Sequence, residues 1–236
     1  MSQPSTSSDP HAIDQDGLGR TVHWIRGGDA ADLRADAEIL VRLDHPGVGL
    51  VLDLDEVDGV QRLGLRAGRG RLLSAVIAAS VDGGPDDLLR SPARVVEIIL
   101  RVAEIIAAAH AVGLAHLGLG PERIRIEDHG HIAVEGWEAG LERRRSPLSQ
   151  RLTRAPATGA GRPDGMHQDI RDLGACLLAA LLRRPAADLR TLDTLDADLA
   201  VRLPRGLADI CRTALTSDST TGYTVAQAFI DDLRAY

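Results

Sequence analysis

Lysine is missing altogether: every one of the 27 basic residues of this 236-residue chain is arginine. No chemistry that needs a lysine ammonium, whether a Schiff base or a point-charge phosphate clamp, can come from it. Cysteine is nearly missing. Cys176 and Cys211 are the only two, both in apolar helical contexts (LGACLLAALL and LADICRTAL), so buried free thiols are expected. An excess of positive charge is missing as well: 27 basic against 34 acidic residues leave a net charge of −7, which argues against a broad nucleic-acid footprint. The clusters Arg143-Arg144-Arg145 and Arg202/Arg205 are local and read as solvated surface. No apolar run suits a membrane span. Val95–Leu119 is broken by Glu97, Arg101, Glu104 and two histidines, and Leu173–Leu182 is too short. The opening MSQPSTSSDP lacks the basic region and apolar core of a signal peptide, so it reads as a short disordered tail of a soluble, cytoplasmic protein.

What is present, 44% apolar and 26% charged residues, is globular composition. ADLRADAEILVRL (Ala31–Leu43) has helical periodicity, with Leu33, Ala37, Leu40 and Val41 expected on one face, and His45-Pro46-Gly47 ends it. Val48–Leu54 and Val60–Leu65 read as a strand pair joined by an acidic, Gly-containing turn, DEVDG. Arg71–Ala79 reads as a short helix. Ser91-Pro92 opens a long helix, Ser as N-cap and Pro at the first helical position, and Gly113 stops it. Arg123–Ile126 and His131–Val134 read as a small hairpin across EDHG. Glu142–His167, rich in Arg, Pro, Gly, Ser and Thr, reads as a long loop. Helices over Asp169–Leu182, Leu207–Thr216 and Thr224–Tyr236 close the chain. Strands and one helix followed by a mainly helical half imply an α+β chain with two unequal lobes.

AAAHAVGLAHLGLGPERIRIEDHGHIAVEGWEAG resembles the catalytic segment of bacterial Ser/Thr protein kinases. There a long helix ends in a His, an "AH..GL.H" lead-in follows, and HRDLKPEN precedes a hairpin and a DFG-type motif. AEILVRLDHPGV resembles the regulatory helix of the small lobe, DIRDLGACLLAALLRRP a central helix of the large lobe, and LPRGLADICRTAL with GYTVAQAFIDDL its last two helices. The likeness runs from Gly17 to Tyr236. It implies a two-lobed kinase-like fold: a tail at 1–16, a reduced N-lobe at 17–70 with a short antiparallel sheet and one helix, and a helical C-lobe at 71–236.

Residue by residue, the resemblance implies loss of the chemistry. Kinase catalysis rests on positioning and charge neutralisation by specific groups. In TVHWIRG the phosphate lysine's position falls on His23 or Trp24, and the position of its helix glutamate falls on Asp36. Only GLG (Gly17–Gly19) stands where a Gly-rich loop belongs. Gly118 replaces the aspartate that accepts the substrate proton, Gly120 the phosphate-facing lysine, Arg123 the metal-binding asparagine, and Gly136 the metal-binding aspartate. Glu135 is next to that last position, but one residue along a strand turns a side chain to the other face. The APE end of the peptide loop reads Ala155-Pro156-Ala157, and its partner arginine corresponds to Gly222. His116 and Asp169 are retained. The resemblance gives Asp169, placed at the start of its helix, the task of bracing the loop around His116. The pattern is most similar to the inactive kinase-like domain of actinobacterial lipid II flippase (MviN-type) proteins.

His110, His116, His129 and His131 could suggest a metal site, and Asp53, Asp55 and Asp58 a calcium site. Turn histidines, one structural His116 and a solvated acidic turn are the preferred readings. The expected function is that of a pseudokinase without catalytic residues, cofactor or metal, acting as a scaffold for a protein partner. That partner would be a Ser/Thr kinase or a forkhead-associated-domain protein, and Thr153, Thr158 and the tail residue Thr6 are the expected phosphoacceptors. The alternative is a divergent kinase-fold enzyme that retains nucleotide binding.

Overall fold

The computed structural model describes residues 13–15, 21–26, 29–57, 59–81, 88–145, 164–184, 203–216 and 221–236. Thr6, Ala155-Pro156-Ala157, Thr153 and Thr158 lie outside them, as do Gly17–Gly19 and Asp58. The chain divides into two compact units, Met1–Gly68 and Arg69–Tyr236.

The first unit is a four-stranded antiparallel sheet with one helix. Strands β1 (Ile13–Gln15), β2 (Thr21–Arg26), β3 (Val51–Val57) and β4 (Val60–Arg66) pair in the order β1-β2-β4-β3. Helix α1 (Ala30–Leu43) packs on β3 and β4. Asp29 caps it: its carboxylate accepts from Ala31 N–H and Asp32 N–H, both at 2.9 Å, while Asp32 reaches back to Asp29 N–H. The buried face holds Leu33, Asp36, Ile39, Leu40 and Leu43, and Val41 is 61% exposed, so the expected face was turned too far. Counted at 3.6 residues per turn, Asp36 belongs with Leu33 and Leu40, whereas Val41 points about 80° away from Leu33. The strand expected at Val48–Leu54 is Val51–Val57 instead. Val57 pairs with Val60, and Asp53 and Asp55 are strand residues, not turn residues, because Arg62 across the ladder takes the Asp55 carboxylate.

The second unit is helical around a three-stranded antiparallel sheet, ordered β5 (Arg71–Leu72), β6 (Ile124–Ile126), β7 (Ile132–Val134). Arg71 and Leu72, expected in a helix, pair with Ile126 and Arg125; helix α2 begins after them and covers Leu73–Val81. Helix α3 (Pro92–Ala111) starts at Ser91, whose hydroxyl accepts from Arg94 N–H, and ends before Gly113 at φ +79. Its apolar positions from Val95 to Ala109 are the centre of the unit's core. Two helices invade the expected loop: α4 (Glu138–Arg145) and the start of α5 (Asp164–Leu182). Polar composition concealed α4. Buried Leu141 anchors it, and Gly140 runs so close to the Ala115 carbonyl that no Cβ would fit. Asp169 is therefore within α5, not at its start. Helices α6 (Arg205–Leu215) and α7 (Ala226–Ala235) pack on α5 and α3 respectively. No helix among the described residues is long and apolar enough to cross a membrane.

Asp29→Ala removes the acceptor for two helix N-terminal amides and is expected to lower stability by about 1 kcal/mol, read by urea denaturation. Cys176 and Cys211 are both buried thiols, neither in a disulfide, and burial pushes the Cys211 thiol up to about 12. Neither should react with a disulfide reagent near neutral pH until the chain is unfolded.

Candidate functional site

Three donors converge on one carboxylate in the second unit. Asp169 is fully buried. Its Oδ2 accepts from His116 N–H at 2.7 Å and its Oδ1 from Leu117 N–H at 2.8 Å. His110 Nε2 lies 2.8 Å from Oδ2. A carboxylate that receives this many bonds is the kind of buried charge that structures retain. Leu117 has a φ of +62, a left-handed conformation for a side-chain-bearing residue. Such geometry costs about 1–3 kcal/mol and persists where surroundings over-determine it. The Asp169 bonds supply that determination. Sequence reasoning brought Asp169 and His116 together but missed His110, although the helix stop at Gly113 already places it in the last turn of α3.

His116 extends the tie. Its Nε2–H donates to the Glu135 carbonyl at 2.9 Å, and its ring meets Trp137 edge-on at 4.8 Å between centroids. Nδ1 finds no partner among the described residues. Burial pushes the His116 pKa down; the Glu135 carbonyl and the charges of Asp169 and Glu138 work against this, and Arg123 with it. Glu135 is the carboxylate nearest the expected metal position, and it is engaged elsewhere. Arg125 holds it with two parallel bonds, Nε to Oε1 at 2.7 Å and an Nη to Oε2 at 2.9 Å, and gives another to the Gly70 carbonyl. The bonds to Glu135 raise the Arg125 pKa.

The glycines in these loops differ in what surrounds them. Around Gly118 the position of a Cβ is open, with nothing within 4 Å. At Gly120 the Glu122 carboxylate fills that position. At Gly136, whose φ is +87, a Cβ would lie 2.8 Å from Arg123 Cδ and 3.0 Å from its Nε. His129 is exposed, and His131 pairs with Glu127 at 3.3 Å. No group of three or more His, Cys, Asp or Glu among the described residues could hold a metal ion.

In the first unit, His23 and Trp24, the two residues that the resemblance sets at the lysine position, are both buried, as is Asp36. Trp24 pairs with Gly64 across the ladder, and its ring covers the place a Gly64 side chain would take, 2.8 Å from the Cβ position. Arg62 lies over the indole with its guanidinium carbon 3.8 Å from the ring centroid, and is itself bound to Asp55 at 2.6 Å. Bonding to Arg62 holds the Asp55 carboxyl below the usual range.

Asp169→Ala would strip the acceptor from two buried amides and His110, and should cost about 3 kcal/mol or more by chemical denaturation. The His116 shift sets a pH dependence. Because the folded state disfavours the imidazolium, the unfolded chain binds more protons below the ordinary value of 6.5. The contribution of His116 to stability is complete above that pH and is lost as pH falls below it toward the lower folded value. His116→Gln should flatten the stability profile between about pH 5 and 7, measured as the difference from the parent chain.

Comparison with known proteins gives a short stretch of likeness and a whole-chain fold. No protein-family model matches the chain. Over 94 residues, 40% of its length, it is 35% identical to the serine/threonine-protein kinase PknH of Mycobacterium bovis, 15% of which is covered. PknH of Mycobacterium tuberculosis matches with the same identity over the same length, and 14% of that protein is covered. The solved structure of the apo form of PpkA-294 superposes with a TM-score of 0.60 over 94% of this chain and 82% of that one, at 18% identity. The chain has a protein-kinase-like fold.

Proposed function

We propose that this chain is a pseudokinase: a kinase-like fold that binds protein partners and transfers no phosphate. The observation that supports it most is the local packing at Trp24. Phosphoryl transfer needs a cation on the strand to hold the nucleotide phosphates. Here the chain has no lysine, and at that position the strand offers either a buried imidazole, His23, or a buried indole, Trp24, enclosed between Gly64 and Arg62. The second unit supports the same reading. Gly118 cannot take a proton, Gly136 cannot bind metal, and the neighbouring Glu135 carboxylate is held by Arg125. PknH is named a serine/threonine kinase, but these positions withhold that activity from this chain. The braced loop around His116 is read as architecture kept for shape, comparable to the kinase-like domain of MviN-type flippase proteins.

In this reading the protein works as a scaffold in Ser/Thr kinase signalling in the cytoplasm. An active kinase modifies Thr153, Thr158 or Thr6, and a forkhead-associated domain reads the phosphate. Phosphorylation adds nearly two negative charges and strong acceptors, which nearby arginines or a partner's can bind.

Thermal unfolding with millimolar Mg-ATP or Mn-ATP tests the non-catalytic part. A ligand at 100 times its dissociation constant adds about 2.7 kcal/mol, readily visible as a higher Tm. No shift is expected, and a clear rise would sink the reading. Incubation with a cognate Ser/Thr kinase followed by mass spectrometry tests the signalling part, which fails when neither the tail nor the 146–163 segment is modified.

A further inference from the structure

The segment after β7 is held from several sides. Glu135 N–H donates to the Arg123 carbonyl at 2.8 Å, and the Glu135 carbonyl accepts from His116 Nε2 at 2.9 Å. The Glu135 carboxylate is forked by Arg125. Trp137 is buried against His116, and its Nε1–H donates to the Val134 carbonyl at 2.9 Å. Gly136 is the one residue of this stretch whose backbone is left-handed, with φ +87, and the one without a side chain to pin it. A glycine at such a point would ordinarily be a hinge. Here the Arg123 side chain closes it: Cδ, Nε and Cζ lie 2.8, 3.0 and 3.1 Å from where a Gly136 Cβ would be.

We propose that Arg123 and Gly136 form an interlock, in which the arginine stem and guanidinium occupy the space in front of the glycine and fix residues 135–137 in one conformation without metal or nucleotide. The site it closes is the one that the pseudokinase reading identifies with a lost metal position, and to that extent it rests on that reading. The consequence is a module with a constitutive shape here, not a switch worked by a ligand. The two residues are also coupled. A side chain at position 136 forces Arg123 to shift, whereas the open surroundings of Gly118 accept one without interference.

A double-substitution cycle on the full chain tests the coupling. Gly136→Ala carries two costs, backbone strain from the left-handed φ and collision with Arg123. Only the strain persists when Arg123→Ala is present, so the strain cancels in the cycle and the collision remains. The expected result is that Gly136→Ala lowers Tm by at least about 3 °C more in the parent than in the Arg123→Ala background. Gly118→Ala should show no such dependence on Arg123. Hydrogen exchange provides the local readout. Arg123→Ala should speed amide exchange at residues 135–137 about tenfold or more while α3 keeps its protection, a pattern that a general loss of stability does not produce. Equal Tm losses in the two backgrounds, or unchanged exchange at 135–137, overturn the interlock. Stabilisation of the parent chain by Mg-ATP would overturn the pseudokinase reading and leave the interlock standing, so the two failures are distinguishable.

Discussion

A carboxylate with no access to water, Asp169, decides the shape of the loop on which the candidate site depends. It takes amide bonds from His116 and Leu117 and faces His110 at the end of α3. Without that acceptor, two amides and an imidazole nitrogen would be left in a buried environment, and Leu117 would have no reason to remain left-handed. With the loop so fixed, His116 Nε2 reaches the Glu135 carbonyl, and that bond carries the constraint from α5 through the loop to the segment after β7. The chain of dependence thus runs from one side chain in α5 to the entry of α4, by bonds to backbone atoms throughout. Bonds of that kind preserve a conformation regardless of what chemistry the loop performs.

A second regularity concerns glycine. At three glycines a large neighbouring side chain occupies the space that a Cβ would take. Trp24 lies across Gly64, Glu122 across Gly120, and Arg123 across Gly136. Close packing makes this the expected arrangement around a residue without a side chain, because an unfilled volume forfeits contacts on every wall. Gly118 is the exception, open on the side where its Cβ would point. Solvent can occupy an open surface position at little cost, so no neighbour is drawn in. A Cβ would meet the ring of Trp24 at Gly64 and the stem of Arg123 at Gly136, only the carboxylate end of Glu122 at Gly120, and nothing at Gly118.

Much of the fold was legible where the signal was local. The α3 boundaries followed from Ser91-Pro92 and Gly113, since cap chemistry acts within a few residues. The small hairpin at Ile124–Val134 followed from two short runs joined by EDHG. The misreadings share a cause. In α1 the buried face includes Asp36, and in β3 the strand includes Asp53 and Asp55, so polarity was taken for exposure or turn where tertiary contacts decide otherwise. The same bias hid α4, whose charged sequence is anchored by Leu141 and by the tight approach of Gly140 to Ala115. For the site, Asp169 and His116 are separated by 53 residues, and no periodicity links them; only the family pattern did. The contacts of Trp24 with Gly64 and of Arg123 with Gly136 were illegible for a further reason. They are departures from that pattern, and a packing partner that fills a gap leaves no mark in sequence.

The all-arginine basic set ties these observations together. A lysine offers one compact charge on a flexible stem, whereas arginine offers a planar fork able to satisfy several acceptors at once. The described arginines are used in that way. Arg125 grips both oxygens of Glu135 and the Gly70 carbonyl; Arg183 bonds the carbonyls of Ser80 and Leu89; Arg144, in a cluster that read as solvated surface, reaches the Val112 carbonyl at the end of α3. Arg62 brings two N–H donors to one oxygen of Asp55 while stacking on Trp24, an arrangement that needs a flat cation. Carbonyls left over at helix ends and loops are the groups that a folded chain must satisfy without water. A set of planar forks meets that need, but it cannot supply the small mobile ammonium that phosphoryl transfer calls for. An internally bonded frame is what such a set of cations is suited to build.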